Sequence, residues 1–354
     1  MRLVLISGAG LSATAGVPTF KEAANHPLYK AFSSSGNIDI ARVTEQIREH
    51  LSQYKPSSAH RECVLLEDVC KCINIDFIHY TLNIDVLLEK TGGFPVHLYG
   101  CENDHQSMVD FRFFPKIDIT NFEWHCDDFV LFLGISETGL PVAYIESCIL
   151  EVGGHVSHYN LVTHNGLSGR HIIGDLLNTF SCTDVLSRLP LKIDLFPDCD
   201  GLGNDVHFVE FPISEREYTI YFTPKPLVTI SPKVLDQIAE ETGQKIDDNT
   251  YEVKFDLKSN LDNETYFQRP TTNLSYRQMQ ILGEVLIAYI IAHYESIPEV
   301  PSLYVAEAQY HKLNAFYNRL AKITNFKIKC LHSTIKRSQH NSKSGDFHAF
   351  KPTW

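Results

Sequence analysis

A short strand-like run, Arg2-Leu3-Val4-Leu5-Ile6, meets Gly8-Ala9-Gly10 and passes at once into a helix-compatible stretch. This strand, glycine turn and helix limit the fold more than any other feature. A glycine turn at such a junction lets backbone N–H groups approach an anion closely, and the helix N-terminus favours negative charge there. The pattern that follows alternates. A polar helical region covers about 39–67, a second strand about 73–80, and a helical turn about 85–90 that Gly92-Gly93 closes. A third strand over 128–133 ends at Gly134-Ile135-Ser136, with a helix over about 143–152 and a strand over 155–161 behind it. Strands alternating with helices predict an α/β fold, a Rossmann-like and mostly parallel sheet with helices on both faces.

From about residue 191 the texture becomes Asp-, Pro- and Gly-rich, with a linker-like stretch at 196–205. We expect a first domain over 1–190, a C-terminal α+β domain over 191–340 and a polar, aperiodic tail over 341–354. Strand-like runs at 206–211, 218–222 and 302–306 and helical runs at 276–294 and 311–323 make up the second domain. With 354 residues, 44% of them hydrophobic, the chain can build two cores. Its net charge of -12 works against broad binding to nucleic acid or anionic membranes. No stretch approaches the length of a membrane span, and the opening apolar run is too short for a secretory segment, so a soluble, cytoplasmic protein is expected. Nine scattered cysteines do not form a disulfide framework. Cys70 and Cys72 have no second pair at ribbon spacing, so no metal site is expected.

The glycine turn lies inside a longer pattern, Gly8-Ala9-Gly10-Leu11-Ser12-Ala13-Thr14-Ala15-Gly16-Val17-Pro18-Thr19-Phe20-Lys21. It resembles the sirtuin (Sir2) signature G-A-G-x-S-x-x-x-G-I-P-D-F-R. Further blocks follow in that family's order. Pro56-Ser57-Ser58-Ala59-His60 is similar to P-x-x-A-H, Thr81-Leu82-Asn83-Ile84-Asp85 to T-Q-N-I-D, and Tyr99-Gly100 to the catalytic H-G pair. Gly134-Ile135-Ser136 resembles the G-T-S loop, Asn160 the strand-end asparagine that contacts the adenosine ribose, and Gly174-Asp175 a late G-D turn. The resemblance spans residues 1 to about 190.

It implies an NAD-binding domain that cleaves the bond between nicotinamide and ribose. By position, the NAD contacts fall on Gly8, Ala9, Gly10, Ser12, Gly16, Pro18, Phe20, Gly134, Ser136 and Asn160. Asn83 and Asp85 take the role of orienting ribose, carboxamide and an attacking water. Taken alone, Asn83 reads as a strand-end cap and Asp85 as the start of a helix.

The departures narrow the expected chemistry. Tyr99 stands where deacylating sirtuins carry a histidine base, and a tyrosine with an ordinary pKa near 10 is a poor base at neutral pH. His97 lies two residues earlier on the same strand face and is the candidate substitute. Thr19, Lys21 and Leu82 replace the family's Asp, Arg and Gln. The zinc ribbon is missing: Cys101 and Cys126, with His105 and His125, lack a C-x-x-C hairpin. A zinc-free form resembles the sirtuin domains of bacterial and viral NAD-consuming proteins, which implies an NAD glycohydrolase acting in phage defence or NAD signalling. Two alternatives stay open, an NAD-dependent protein deacylase and a non-catalytic sensor of NAD or ADP-ribose. A homo-oligomer, and a protein partner held by the C-terminal domain, are further expectations.

Within that domain, Gln280-Ile281-Leu282-Gly283-Glu284-Val285 and Phe316-Tyr317 bear a faint likeness to the acyl-CoA core of GCN5-like acetyltransferases. Val285 and Tyr310 break the pattern, and an amphipathic helix packed on a strand is the alternative.

Overall fold

The structure, a computed structural model, describes residues 1–32, 39–136, 139–191, 193–196, 206–224, 230–263, 273–307, 313, 315–317, 328–335 and 347–352. It divides into two compact units, Met1–Cys182 and Thr183–Trp354.

In the first unit the chain runs β1 (Arg2–Ser7), α1 (Ala9–Ala13), α2 (Phe20–Ala23), α3 (Pro27–Phe32), α4 (Ile40–Ser52), α5 (Ser58–Cys72) and β2 (Asp76–Thr81). There follow a 3-10 turn (Glu89–Thr91), β3 (Val96–His97), α6 (His105–Asp110), a second 3-10 turn (Ile119–Asn121), β4 (Asp128–Leu133), α7 (Val142–Glu151), β5 (His155–Asn160), β6 (Arg170–Ile173) and α8 (Leu176–Thr179). The six strands form one sheet in the order β3-β2-β1-β4-β5-β6, and every pairing is parallel. β1 sits at its centre because Leu3, Val4, Leu5 and Ile6 are all fully buried, which requires a covered face on each side. Its register runs from Arg2 opposite Asp76 and Asp128 to Ser7 opposite Thr81 and Leu133. The strand order reverses between β1 and β4, and that reversal opens a crevice at the carboxyl ends of the strands. At the opposite end Arg2 is paired with the buried carboxylate of Asp128.

The helical region at 39–67 is two helices. In α4, Val43, Ile47 and Leu51 recur every fourth residue and face the core, and Asp39 caps the first turn by accepting from the Arg42 N–H. α4 ends at Ser52 with Gln53 as its C-cap, and beyond Pro56 Ser57 with His60 forms a capping box that starts α5. Burial pushes the His60 ring down to about 4, so it accepts there as a neutral imidazole. α5 runs through Cys72 and ends before Asn74, whose φ is 55, so β2 begins at Asp76 and not at 73. The expected turn at 85–90 is the 3-10 turn at Glu89–Thr91, closed by Gly92 at φ 92.

The second unit is α+β. It contains α9 (Cys182–Leu186, which begins at the last residue of the first unit), β7 (Asp194–Phe196), β8 (Val206–Ile213), β9 (Arg216–Pro224) and α10 (Pro232–Thr242). β10 (Thr250–Leu257), α11 (Lys258–Asp262), α12 (Tyr276–Ser296), β11 (Leu303–Glu307), β12 (Ile328–Ile335) and β13 (Phe347–Pro352) complete it. Seven strands form one mixed sheet in the order β12-β13-β11-β10-β9-β8-β7, parallel only between β10 and β11.

Three expectations change here. Residues 347–352, taken as part of an aperiodic tail, form β13 between β11 and β12. Residues 280–285 lie inside α12, where backbone amides are spent on intrahelical bonds, so this segment is no pyrophosphate turn and the acetyltransferase likeness falls. α12 is also not amphipathic over its middle, since Ile281 to His293 is buried on all sides. Of the helix expected at 311–323, only 313 and 315–317 are described, and they are helical; the linker-like 197–205 lies outside the described residues. Among the described residues no helix is long and apolar enough to cross a membrane.

Inside the second unit a buried hydrogen-bond chain joins His207 Nδ1 to His293 Nε2 at 2.7 Å and His293 Nδ1 to the Tyr304 hydroxyl at 2.9 Å. Burial, reinforced by His207, pushes His293 down to about 2, so it is neutral in the fold. Its folded value lies below the unfolded one near 6.5, so this stability is full above pH 6.5 and is lost as pH falls. At pH 5 the loss is roughly 2 kcal/mol. Hydrogen exchange of the α12 amides, corrected for the intrinsic rate, is therefore expected to lose protection between pH 7 and pH 5. In His293→Leu the baseline protection drops and this pH slope flattens; an unchanged slope would contradict the assignment.

Candidate functional site

The crevice at the strand-order reversal is built on backbone contact. The Gly8 N–H donates to Leu133 O at 2.9 Å, Gly10 N–H to Gly134 O at 2.8 Å, and Gly134 N–H to Tyr159 O at 2.9 Å. These bonds lace the carboxyl ends of β1, β4 and β5 together. A Cβ on Gly10 would lie 2.6 Å from Gly134 Cα, and one on Gly134 2.6 Å from Gly10 Cα. Gly134 also has φ +57, a conformation side chains disfavour. Both positions therefore require glycine.

A side-chain network hangs from this turn. Asn83, just beyond β2, donates from Nδ2 to Gly8 O at 3.0 Å and to Ser12 Oγ at 2.8 Å. Ser12 Oγ in turn donates to Asp85 Oδ2 at 2.6 Å, and Asp85 Oδ1 accepts the Leu87 N–H at 3.2 Å. Both hydrogens of Asn83 Nδ2 are thus taken, and Oδ1 is the atom left for a ligand. Burial raises the Asp85 carboxyl above its usual range, against the hydrogen bonds from Ser12 and Leu87. Beneath the network, Ser7 Oγ donates to Thr81 Oγ1 at 3.0 Å, and Thr81 Oγ1 also accepts the Asn83 N–H at 3.2 Å. His79 Nε2 completes this layer 2.9 Å from Ser7 Oγ, its ring pushed down to about 3 chiefly by burial and so neutral. Ser7, His79 and Thr81 carry no signal of such a role in the sequence, because polar residues inside a strand read there as ordinary core positions.

His97 is engaged on both ring nitrogens, Nδ1 with Asn83 O at 2.7 Å and Nε2 with Glu89 Oε1 at 2.6 Å. A carbonyl and a carboxylate only accept, so both nitrogens donate and the ring is an imidazolium. Burial opposes that charge, but the hydrogen bonds and charges of Cys101 and Glu89 outweigh it and push His97 up to about 10. A ring with two committed N–H groups has no lone pair with which to take a proton, which removes the expected substitute base. The Tyr99 hydroxyl donates to Gly139 O at 3.1 Å, and burial raises its pKa further.

Asn160, at the end of β5, is buried, and its Nδ2 has no hydrogen-bond partner among the described residues. Its backbone O accepts the Gly174 N–H at 2.9 Å, where the chain turns at φ +147 into Asp175. Ala9 is half-buried beside Gly10, and Ser136 is exposed. Gly16 turns the chain at φ +86 towards the half-buried Pro18, but no bond joins either to the Asn83 network. The Phe20 side chain lies outside the described residues. Thr19, in the family's aspartate position, spends its hydroxyl on Glu22 Oε2 at 2.7 Å.

No protein-family model matches the chain. A protein named NAD-dependent protein deacylase Sir2 from Mycolicibacterium smegmatis is 33% identical over 122 residues, covering 32% of this chain and 46% of its own length. A protein named NAD-dependent protein deacylase from Pseudomonas putida is 34% identical over 122 residues, covering 32% of this chain and 43% of its own. The chain thus spans a little under half the length of these curated relatives. Among solved structures, one of a Sir2 homolog–NAD complex matches with TM-score 0.35 and 18% identity over 49% of this chain and 84% of that one. Another, of Sir2 enzymes, matches with TM-score 0.37 and 22% identity over 50% and 88%. The curated relatives bear out the resemblance of part of the chain to the sirtuin family.

The glycine contact makes a prediction that separates crowding from backbone strain. Gly166 has φ +90 with nothing within 4 Å, so Gly166→Ala is expected to cost about 1 kcal/mol from conformation alone. Gly134→Ala adds a clash with backbone and is expected to cost more than about 3 kcal/mol in urea denaturation. Equal losses in the two variants would mean that the close approach is not required.

Proposed function

We propose that this chain binds NAD in the crevice between β1 and β4 and cleaves its nicotinamide–ribose bond, as a sirtuin-like NAD glycohydrolase. The observation that carries the reading is the Gly8–Asn83–Ser12–Asp85 network, in which the family's orienting residues are hydrogen-bonded to one another beside the glycine turn. The residues present fit a dinucleotide. The Gly8 and Gly10 N–H groups are spent on Leu133 O and Gly134 O, and the donor these residues leave for a ribose oxygen is the orphaned Asn160 Nδ2.

NAD supplies a glycosidic bond whose breakage leaves an electron-poor ribose carbon. Asn83 presents Oδ1 to the ribose or to an incoming water, with its orientation set by Gly8 O and Ser12 Oγ. Asp85, held by Ser12 and the Leu87 N–H, accepts from the carboxamide. Water, or an ADP-ribose acceptor, then takes the ribose.

Deacylation asks for a base that removes a proton from the ribose. Tyr99 and His97 both act as hydrogen-bond donors, which favours hydrolysis over acyl transfer. The printed names of both curated relatives support the second reading, an NAD-dependent deacylase.

Pure protein incubated with NAD, over a range of protein concentrations, is expected to release nicotinamide without any acyl-lysine peptide. Release only with the peptide would replace hydrolysis by deacylation, and binding without turnover would leave a sensor. Asn83→Ala is expected to lower nicotinamide release by about 100-fold or more with the fold intact by circular dichroism. Tyr99→Phe is expected to keep the rate within about 3-fold, because no proton is assigned to its hydroxyl.

A further inference from the structure

Beside Asn83, on the far side of its backbone carbonyl from Gly8 and Ser12 in the hydrogen-bond sequence, stand Glu89, His97 and Cys101. We propose that these three side chains form a binding site for one divalent transition-metal ion of the zinc class. A carboxylate oxygen, an imidazole nitrogen and a thiol sulfur, one from each residue, all lie within 4.8 Å of one another. Ligands about 2.0–2.3 Å from a common tetrahedral ion are separated by under about 4 Å, so small side-chain rotations close the set.

The three residues come from three pieces of chain: the 3-10 turn Glu89–Thr91, strand β3, and the segment that leaves Gly100 at φ +81. Cys101 is anchored there by its backbone, its N–H donating to Ser107 Oγ at 3.3 Å and its O accepting the Asp104 N–H at 2.9 Å. His97 Nδ1 donates to the Asn83 carbonyl, the outer contact that fixes a metal-binding imidazole, and an ion at Nε2 displaces to solvent the proton which that nitrogen otherwise donates to Glu89, turning Glu89 from hydrogen-bond acceptor to ligand. Glu89 Oε2 is buried and has no hydrogen-bond partner among the described residues, so the carboxylate has a second oxygen to offer.

Thiolate, imidazole and carboxylate together favour zinc over magnesium or calcium, which prefer all-oxygen shells. Three protein ligands leave a fourth position for water. The alternative is an imidazolium hydrogen-bonded to Glu89 and Cys101 with no ion bound, and the two differ in whether Cys101 is a metal ligand. The site is independent of the NAD reading, because its test measures bound metal and not turnover. His105, four residues after Cys101, takes no part: its Nε2 is hydrogen-bonded to Ala41 O and to the Thr44 hydroxyl.

The full chain, stripped by chelator and titrated with zinc against a chromophoric chelator, is expected to bind one equivalent tightly. Cobalt substitution should give a thiolate-to-metal charge-transfer band. Cys101→Ser and Glu89→Gln are each expected to weaken zinc binding by more than about 10-fold and Cys101→Ser to abolish the band, while Cys126→Ser, at an exposed cysteine, changes neither. If a variant fails to fold, alkylation of the wild-type chain mapped by mass spectrometry decides. Zinc is expected to protect Cys101 and not Cys126. Unchanged zinc affinity in a folded Cys101→Ser, or Cys101 alkylation indifferent to zinc, would overturn the site.

Discussion

The contact between Gly10 and Gly134 is the constraint on which the first unit turns. Two backbone segments that end neighbouring strands pass so close that a single Cβ on either would meet backbone at 2.6 Å. That approach lets the Gly10 N–H reach Gly134 O, and it draws in the end of β5 through Gly134 N–H and Tyr159 O. It also presents Gly8 O to Asn83, so the orientation of the site's central amide follows from the backbone path. The strand order makes this contact matter. Where the order reverses, no crossover connection fills the space between the strand ends, and the two turns form the floor of the crevice themselves.

How far the sequence could show this depended on whether the signal was local. The β1 run and its glycine turn are contiguous, and so are Asn83 and Asp85, and both survive as elements of one network. Pro56 marked the break that separates α4 from α5, although a helix-compatible pattern over 39–67 hid it. The layer beneath the site was not legible. Ser7, His79 and Thr81 meet only because β1 and β2 pair in one register, and nothing in either strand alone specifies that pairing. Glu89, His97 and Cys101 are likewise brought together by a 3-10 turn and the bend at Gly100, neither of which has a period. In the second unit, α12 shows the opposite failure. Its glycine-containing stretch matched a loop pattern, but burial on every side made it the core helix of a mixed sheet. β10 carries Glu252, Lys254 and Asp256 at alternate positions, the pattern of a half-solvated strand. Glu252 is nonetheless buried, with its charge answered by Lys254 at 2.9 Å.

The electrostatics of the site separate anchoring from proton transfer. A general base needs a free lone pair near the proton it removes, whereas a positioning group needs its hydrogen bonds filled. His97 is of the second kind, since its partners are a carbonyl and a carboxylate that can only accept. Tyr99, one residue beyond the intervening Leu98, also donates, to the carbonyl of Gly139. The carboxyl group of the Asn83 network, Asp85, is hydrogen-bonded through both oxygens and buried, which suits it to hold a neutral amide more than to shuttle protons.

Asn83 joins these two regions because its side chain and its backbone face different partners. The amide nitrogen is held by Gly8 O and Ser12 Oγ, and the main-chain carbonyl by the His97 ring. A change in what His97 Nε2 contacts therefore reaches Asn83 through one rigid ring and one hydrogen bond, with no rearrangement of the glycine turn. Glu89 and Cys101 lie at the other end of that ring. Whatever charge they share with His97 sets how firmly the Asn83 backbone is fixed, while the glycine contact sets where its side chain is aimed. The side chain and the backbone of the same residue are thus held by separate groups, the glycine turn with Ser12 on one side and the His97 ring on the other.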